Sequence, residues 1–180
     1  MVAMSGGVDS SAAAWLLLQE GYTVSGITMQ IWPGGEAAGG SPTAADDARQ
    51  VAALLGIRHQ VVDLREVFRR QVVDHFCTEY LAGHTPNPCI TCNRNLKFGA
   101  LLDIALAQGC DYISTGHYAR IEPNPANQEV SLLTALDRSK DQSYALYRLD
   151  QHQLRHTLFP LGTYTKAEVR RLTAEAKLPV

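Results

Sequence analysis

Long apolar runs, a basic excess and abundant cysteine are all missing from this 180-residue sequence. No apolar stretch approaches the roughly 20 residues that a membrane-crossing helix needs. The opening Met1-Val2-Ala3-Met4 runs straight into a glycine-rich turn and lacks the basic-then-apolar pattern of a secretory signal, which makes the cytoplasm the expected location. With 16 Lys and Arg against 18 Asp and Glu, the net charge is −2. A chain that grips polyphosphate unaided usually carries a basic field, so any RNA binding must come from a local patch or from elsewhere in a longer protein. There are only four cysteines, Cys77, Cys89, Cys92 and Cys110. In a reducing compartment a close Cys-x-x-Cys pair points to metal or sulfur chemistry rather than to a structural crosslink. Internal repeats and low-complexity tracts are also missing, and no Gly-Lys-Ser/Thr follows the first glycines, which excludes the lysine-containing phosphate loop.

What is present describes a folded α/β domain. Hydrophobic residues make up 46% and charged residues 19%, which excludes a disordered chain. Short β-like runs alternate with longer helical ones, the pattern of a doubly wound parallel sheet wrapped by helices. Strands are expected at Val2 to Met4, Val24 to Ile31, Gln60 to Asp63 and Tyr112 to Thr115. Helices are expected at Ser10 to Gln19, Ala44 to Leu55, from Asp63 to about Leu81, and at Asn93 to Ala107. In the third of these, Val73, Phe76, Cys77, Tyr80 and Leu81 are expected to share one apolar face. Ile31 to Thr43, with four Gly and two Pro, reads as a mobile loop. Gly83 to Pro88 reads as non-helical because each proline disfavours helix in the residue before it. Tyr118 to Glu122 and Glu129 to Leu136 read as a hairpin. Tyr144 to Lys177 reads as short helices broken at Phe159-Pro160-Leu161-Gly162. The expected division is an α/β domain over 1–136 and the start of a helical linker over 137–180. A short central first strand and an ending at Lys177-Leu178-Pro179-Val180 suggest a chain cut at both termini.

Ser5-Gly6-Gly7-Val8-Asp9-Ser10-Ser11 stands where the first strand hands over to the first helix. Gly6 and Gly7 allow a tight turn and a close ligand approach. The helix start and its dipole favour an anion. Ser5, Ser10 and Ser11 add hydroxyls, and Asp9 can hold a magnesium ion that bridges phosphates. An ordinary N-cap explains a bare Gly-Gly turn equally well. The full string resembles the pyrophosphatase loop of adenylating ATP enzymes, whose fold is the adenine nucleotide alpha hydrolase type. The resemblance implies ATP binding by Ala3, Met4, Ser5, Gly6, Gly7, Val8, Asp9 and Ser10, with pyrophosphate as leaving group.

Thr85-Pro86-Asn87-Pro88-Cys89-Ile90-Thr91-Cys92-Asn93 followed by Lys97-Phe98-Gly99 carries a second resemblance. Further matching segments are Asp111-Tyr112-Ile113, Thr115-Gly116-His117-Tyr118, Lys140-Asp141-Gln142-Ser143-Tyr144, and Phe159-Pro160-Leu161-Gly162 with Thr165-Lys166. Over nearly its whole length the chain resembles the tRNA-specific 2-thiouridylase family. That family adenylates the C2 oxygen of the wobble uridine and replaces it with sulfur relayed as a cysteine persulfide. The resemblance implies Cys92 as catalytic cysteine and a second, disulfide-forming cysteine beyond Val180. It also implies adenine packing on Met29, ATP contact at Gly116, target-base contact by Asn87, Pro88 and Cys89, and tRNA contact at His117, Lys140, Asp141 and Gln142. The implied partners are tRNA and a persulfide relay protein.

Alternatives stay open at several of these positions. At the start of a helix the thiol of Cys92 is expected to have a lowered pKa; the other reading is a buried small hydrophobe. Cys89 and Cys92, with a third cysteine downstream, suit an iron–sulfur cluster or half of a zinc site. Cys77 and Cys110 read as packing residues. Met29 also suits a core position, Lys140-Asp141-Gln142 a solvated turn, and a lone His117 a structural role. An adenylating synthetase for another substrate, or a non-catalytic ATP- or metal-binding module, would share the loop but not need Cys92. The 180 residues alone are expected to bind ATP, to grip tRNA weakly and to thiolate it poorly or not at all.

Overall fold

The computed structural model describes residues 1–32, 43–126 and 129–180. Most of the loop expected over Ile31 to Thr43 lies outside them. Five parallel strands form one sheet in the order β3-β2-β1-β4-β7. These are β1 (Val2–Ala3), β2 (Ser25–Gln30), β3 (Arg58–Asp63), β4 (Ile113–Ser114) and, on the far edge, β7 (Thr157–Leu158). Between β4 and β7 in sequence, β5 (Ala119–Pro123) and β6 (Val130–Thr134) form the expected antiparallel hairpin.

Both faces of the sheet are covered, as a parallel sheet requires. On one face the buried alanines and leucines of α1 (Val8–Gln19) meet Ala48, Val51 and Ala52 of α2 (Ala44–Leu55) and Val169 of α8 (Lys166–Glu175). On the other, Ile27 and Ile113 meet Leu101 and Leu102 of α6 (Leu101–Ala107), with Leu154 of α7 (Gln151–Arg155) and Phe159. Alternation along β1 divides its side chains accordingly: Val2 belongs to the first core and Ala3 packs on the second. Successive strands run outward from β1 in opposite directions, so the order reverses between β1 and β4. At such a switch point the loops leaving the C-terminal strand ends part and open a crevice.

Four expectations are corrected. β7 was not anticipated, because Thr157-Leu158 is too short to show any period. Residues beyond 136 thus supply an edge strand, and α8 packs on α1. The segment up to Leu81 is not one regular helix. It runs as α3 (Arg65–Phe68), a π-helical turn over Arg69–Val73 and α4 (Asp74–Leu81). The π turn inserts a residue into the helical repeat, so the apolar face does not continue past it. Val72 is buried, whereas Cys77 and Tyr80 are exposed and Leu81 is 87% exposed. Cys77 is therefore not a packing residue, and Cys110 is only half-buried. The helix after the proline-rich bend starts earlier than expected, as α5 (Pro88–Cys92). Asn87 is extended and caps it, its side chain accepting from the Cys89 N–H at 3.0 Å. Pro88 takes the first helical position, where its fixed φ fits and its missing N–H costs nothing.

Candidate active site

The loop after β1 is closed by its own serines. The Ser10 hydroxyl accepts from the Ser5 N–H at 3.1 Å and donates to the Gly7 carbonyl at 3.1 Å. Ser11 donates to the same carbonyl at 3.0 Å. Gly7 takes the N-cap position of α1 and no side chain caps the helix, so its first-turn N–H groups face the crevice. Gly6 has φ +75°, and a Cβ there would lie 2.5 Å from the Cβ of Asp47 on α2, so glycine is needed both for conformation and for room. Gly116, leaving β4, abuts the same helix start. A Cβ at Gly116 would fall 2.7 Å from the Asp9 carbonyl carbon and 2.8 Å from the Ser10 nitrogen. Loop, helix start and Gly116 thus share one wall of the crevice. Ala3 is half-buried and Met4 buried; the Met4 carbonyl accepts from Thr28 at 2.8 Å, which ties the loop to β2.

Asp9 is more heavily engaged than the sequence suggests. Its Oδ1 accepts from the Tyr118 hydroxyl at 2.9 Å and from the Lys166 ammonium at 2.5 Å. Burial, and then the Asp9 carboxylate beside it, push the Tyr118 phenol well above its usual range, so it stays a donor. Both contacts fall on Oδ1, which leaves Oδ2 facing no other described donor, so the carboxylate still suits a magnesium ion. Tyr118 and Lys166 were missed as site residues. Lys166 is held at the first position of α8 by the Thr165–Glu168 capping box and by its N–H donating to Asp137 at 3.0 Å. The capping pattern Thr-x-x-Glu was legible; the partnership with Asp9 spans 157 positions and was not.

Cys92 ends the first turn of its helix and packs with Met29 and Ile31, at the end of β2, against Leu96, Phe68 and Val72. It therefore lies at the same C-terminal sheet edge as the loop and Gly116. Met29 itself is half-buried in this cluster and in the second core. The expected lowering of the Cys92 pKa is corrected. Burial pushes the thiol up, and the Lys97 ammonium pulls in the other direction without cancelling it. Cys89, in the first turn of the helix, is the exposed thiol at its start.

A π-helical segment, Asn93–Ala100, follows Cys92. Its five-residue hydrogen-bond repeat brings Lys97 under Cys92, whereas α-helical spacing would turn position 97 away. Buried Gln153 donates to the Arg94 and Phe98 carbonyls of this segment at 2.9 and 2.8 Å, satisfying acceptors that the wider turn leaves free. Burial lowers the Lys97 pKa, with the two thiols opposing the shift.

His117 lies in a ring cluster with Phe98 and Phe159, and its Nδ1 is 2.8 Å from the Thr115 hydroxyl. Burial first, then Lys97, push its pKa down to about 3, so it is neutral near pH 7. Unfolding frees an imidazole with an ordinary pKa near 6.5, so the unfolded chain binds the extra proton. This contribution to stability is complete above pH 6.5 and declines as pH falls toward 3. At pH 5 the loss is about 2 kcal/mol. Thermal melts of the wild type against His117→Gln, compared between pH 7 and 5, are expected to show a steeper decline in the wild type. Parallel curves would remove this role.

Asp141 and the amide oxygen of Gln142 have internal partners. Asp141 accepts from the Ala135 N–H at 2.8 Å and the Ser143 hydroxyl at 2.7 Å, and Gln142 accepts from the Tyr118 N–H at 3.0 Å. Lys140 is exposed. All four cysteines of the chain are free. Among the described residues no third metal ligand joins Cys89 and Cys92. These residues do not by themselves fit an iron–sulfur cluster or a zinc ion. Nor is any described helix long and apolar enough to cross a membrane.

A family model described as the tRNA methyl transferase HUP domain matches residues 1–180. The chain is 54% identical to the tRNA-specific 2-thiouridylase MnmA of Moorella thermoacetica, over 100% of this chain and 52% of that protein. It is 52% identical to the enzyme of the same name from Pelotomaculum thermopropionicum, over 100% of this chain and 51% of that one. The chain thus spans about half the length of the curated relatives it matches. A 4-thiouridine synthetase solved with RNA and bound ATP superposes with a TM-score of 0.63 at 20% identity, over 97% of this chain and 40% of that one. At that identity the likeness shows the fold.

Proposed function

This chain belongs to the family of the tRNA methyl transferase HUP domain, and from that membership we propose that it is the ATP-binding, sulfur-handling half of a cytoplasmic tRNA 2-thiouridine-forming enzyme. One observation carries the reading. Cys92 borders the same apolar cluster of Phe68, Val72 and Leu96 as Met29 and Ile31, which stand at the sheet edge where the Ser5–Ser10 loop and Gly116 frame the start of α1. Nucleotide and thiol then face one crevice, into which a uridine flipped out of its stack can reach.

In the proposed sequence the phosphates of ATP rest on the first-turn N–H groups of α1, with Met29 and Gly116 bordering the nucleotide. Asp9 would hold magnesium, which when bound screens phosphate charge. Lys166, sharing Asp9 Oδ1, stands ready to exchange that carboxylate for a phosphate oxygen. The uridine C2 oxygen attacks the α phosphorus; the α–β phosphoanhydride bond breaks and pyrophosphate leaves. The terminal sulfur of a persulfide, delivered by a relay protein, then bonds to C2, and the C2–O bond breaks to release AMP. The Cys92 thiolate, favoured by Lys97, then attacks the carrier sulfur of the resulting C2–S–S link; the S–S bond breaks, the sulfur stays on C2, and Cys92 is left in a disulfide with the cysteine that carried the persulfide. Asn87, Pro88 and Cys89 border the base, His117 shapes the pocket without exchanging a proton, and Lys140, Asp141 and Gln142 bound the RNA side.

The test is pyrophosphate release in a protein of the relatives' length that contains this chain. Release is expected only when ATP and tRNA are both present, with 2-thiouridine appearing once a persulfide donor is added. Pyrophosphate release triggered by a small carboxylate instead of tRNA would favour an adenylating synthetase and sink this reading. The 180 residues alone are expected to bind ATP and to thiolate tRNA poorly or not at all.

A further inference from the structure

Residues 142–149 bridge the two halves of the crevice. At one end the Gln142 side chain accepts from the Tyr118 N–H, and Tyr118 in turn donates to Asp9 beside the phosphate loop. At the other, the buried Asn93 amide, next to Cys92, donates to the Ala145 carbonyl at 3.0 Å.

Its backbone is a run of tight turns. Ala145, Leu146 and Leu149 donate to the carbonyls of Gln142, Ser143 and Leu146, each at 3.0 Å, and Ser143–Ala145 form a 3₁₀ helix. Side chains three apart eclipse in that geometry, about 6 Å apart along the axis. Ala145, Leu146 and Leu149 turn into the core. Tyr144 and Tyr147, three positions apart on these turns, are instead 62% and 65% exposed, large rings left in water. Arg138, Lys140 and Arg148 are exposed alongside, whereas the nearby Asp141 carboxylate is satisfied by Ala135 and Ser143.

Resting on the thiolation reading, we propose that Tyr144 and Tyr147 form a stacking surface for unpaired bases of the substrate RNA, beside the crevice that takes the target uridine. An exposed pair of rings on a rigid turn flanked by cations suits single-stranded nucleic acid, which every base can satisfy through its π face. Such a surface supplies local RNA affinity to a chain whose net charge is −2.

The experiment compares the wild type with Tyr144→Ala/Tyr147→Ala and Tyr144→Phe/Tyr147→Phe in a protein of the relatives' length. Affinity for an anticodon stem-loop RNA is read by fluorescence anisotropy, and affinity for ATP is read separately. Stacking is worth about 1–3 kcal/mol per base, so the alanine pair is expected to lose roughly 10-fold or more in RNA affinity. ATP affinity should stay within about 2-fold, which also reports an intact fold. The phenylalanine pair should bind RNA like the wild type. Unchanged RNA affinity in the alanine pair, in a protein that still forms 2-thiouridine, overturns the stacking surface and leaves thiolation standing. So does protection of both tyrosines from iodination without RNA, which would mean that other parts of the polypeptide cover this face. If the wild-type protein forms no 2-thiouridine, the thiolation reading fails and the surface with it.

Discussion

Cys92→Ser, in a protein of the relatives' length, is expected to separate the two half-reactions. Pyrophosphate release with tRNA should stay within a few-fold of the wild type, while 2-thiouridine formation falls by at least about 10³-fold, as loss of a nucleophile commonly does. The separation follows from where the parts lie. The adenylation machinery hangs on β1, α1 and the turn after β4, whereas Cys92 is carried by a separate helix that packs on the cluster of Phe68, Val72 and Leu96. Serine is close in volume, so the cluster of Phe68, Val72 and Leu96 has little reason to rearrange. Mass spectrometry of digested tRNA reads the sulfur, and a coupled assay reads pyrophosphate. Unimpaired thiolation by the serine variant would mean that the sulfur path avoids Cys92, and the rival adenylating synthetase would then gain ground.

Gly116→Ala is expected to abolish ATP binding at concentrations that saturate the wild type, a loss of more than roughly 30-fold, given that a close-packed interior cannot absorb an added methyl here. The new Cβ would press on the Asp9 carbonyl carbon, the Ser10 nitrogen and the Asp9 Cβ, at 2.7, 2.8 and 2.9 Å. Two of these are backbone atoms, so the start of α1 must shift as a unit. Its N–H groups are the ones that must converge on phosphate, and Asp9 moves with them away from Tyr118 and Lys166. Overpacking of this kind costs about 1–3 kcal/mol of stability, so the melting temperature should fall by only several degrees and the fold should persist. Calorimetric titration with ATP checks the first effect and a thermal melt the second. Wild-type ATP affinity in the alanine variant would mean that the nucleotide does not use this helix start.

The largest corrections came where local spacing was asked to report on distant packing. Four of the parallel strands and the hairpin were legible from their runs of β-branched residues, and α2 was found to its end residues, Ala44 and Leu55. The edge strand β7 was not, since two residues display no period, and only pairing with β4 defines them. The apolar face expected on residues 73–81 failed because a π turn shifts the register, an event no 3.6-residue template contains. The lowered pKa expected for the Cys92 thiol rested on a helix start at that position; the helix starts earlier, at Pro88, and burial against Phe68, Val72 and Leu96 pushes the thiol up.

By itself the sequence determined an α/β domain with an anion-binding turn after its first strand and marked Gly6, Gly7 and Asp9 there, because glycine freedom and helix-start chemistry are local properties; Cys92 and Gly116 were marked by the family resemblance. Tertiary structure alone decided that Tyr118 and Lys166 converge on Asp9, that His117 is buried and neutral, and that the Asp141 carboxylate and the Gln142 amide oxygen accept from Ala135, Ser143 and Tyr118. It also left Tyr144 and Tyr147 facing water. The physical reason is common to all of these: partnership and burial are set by which segments the sheet brings together, and strand order places residues 9, 118 and 166 side by side although no period in the chain connects them.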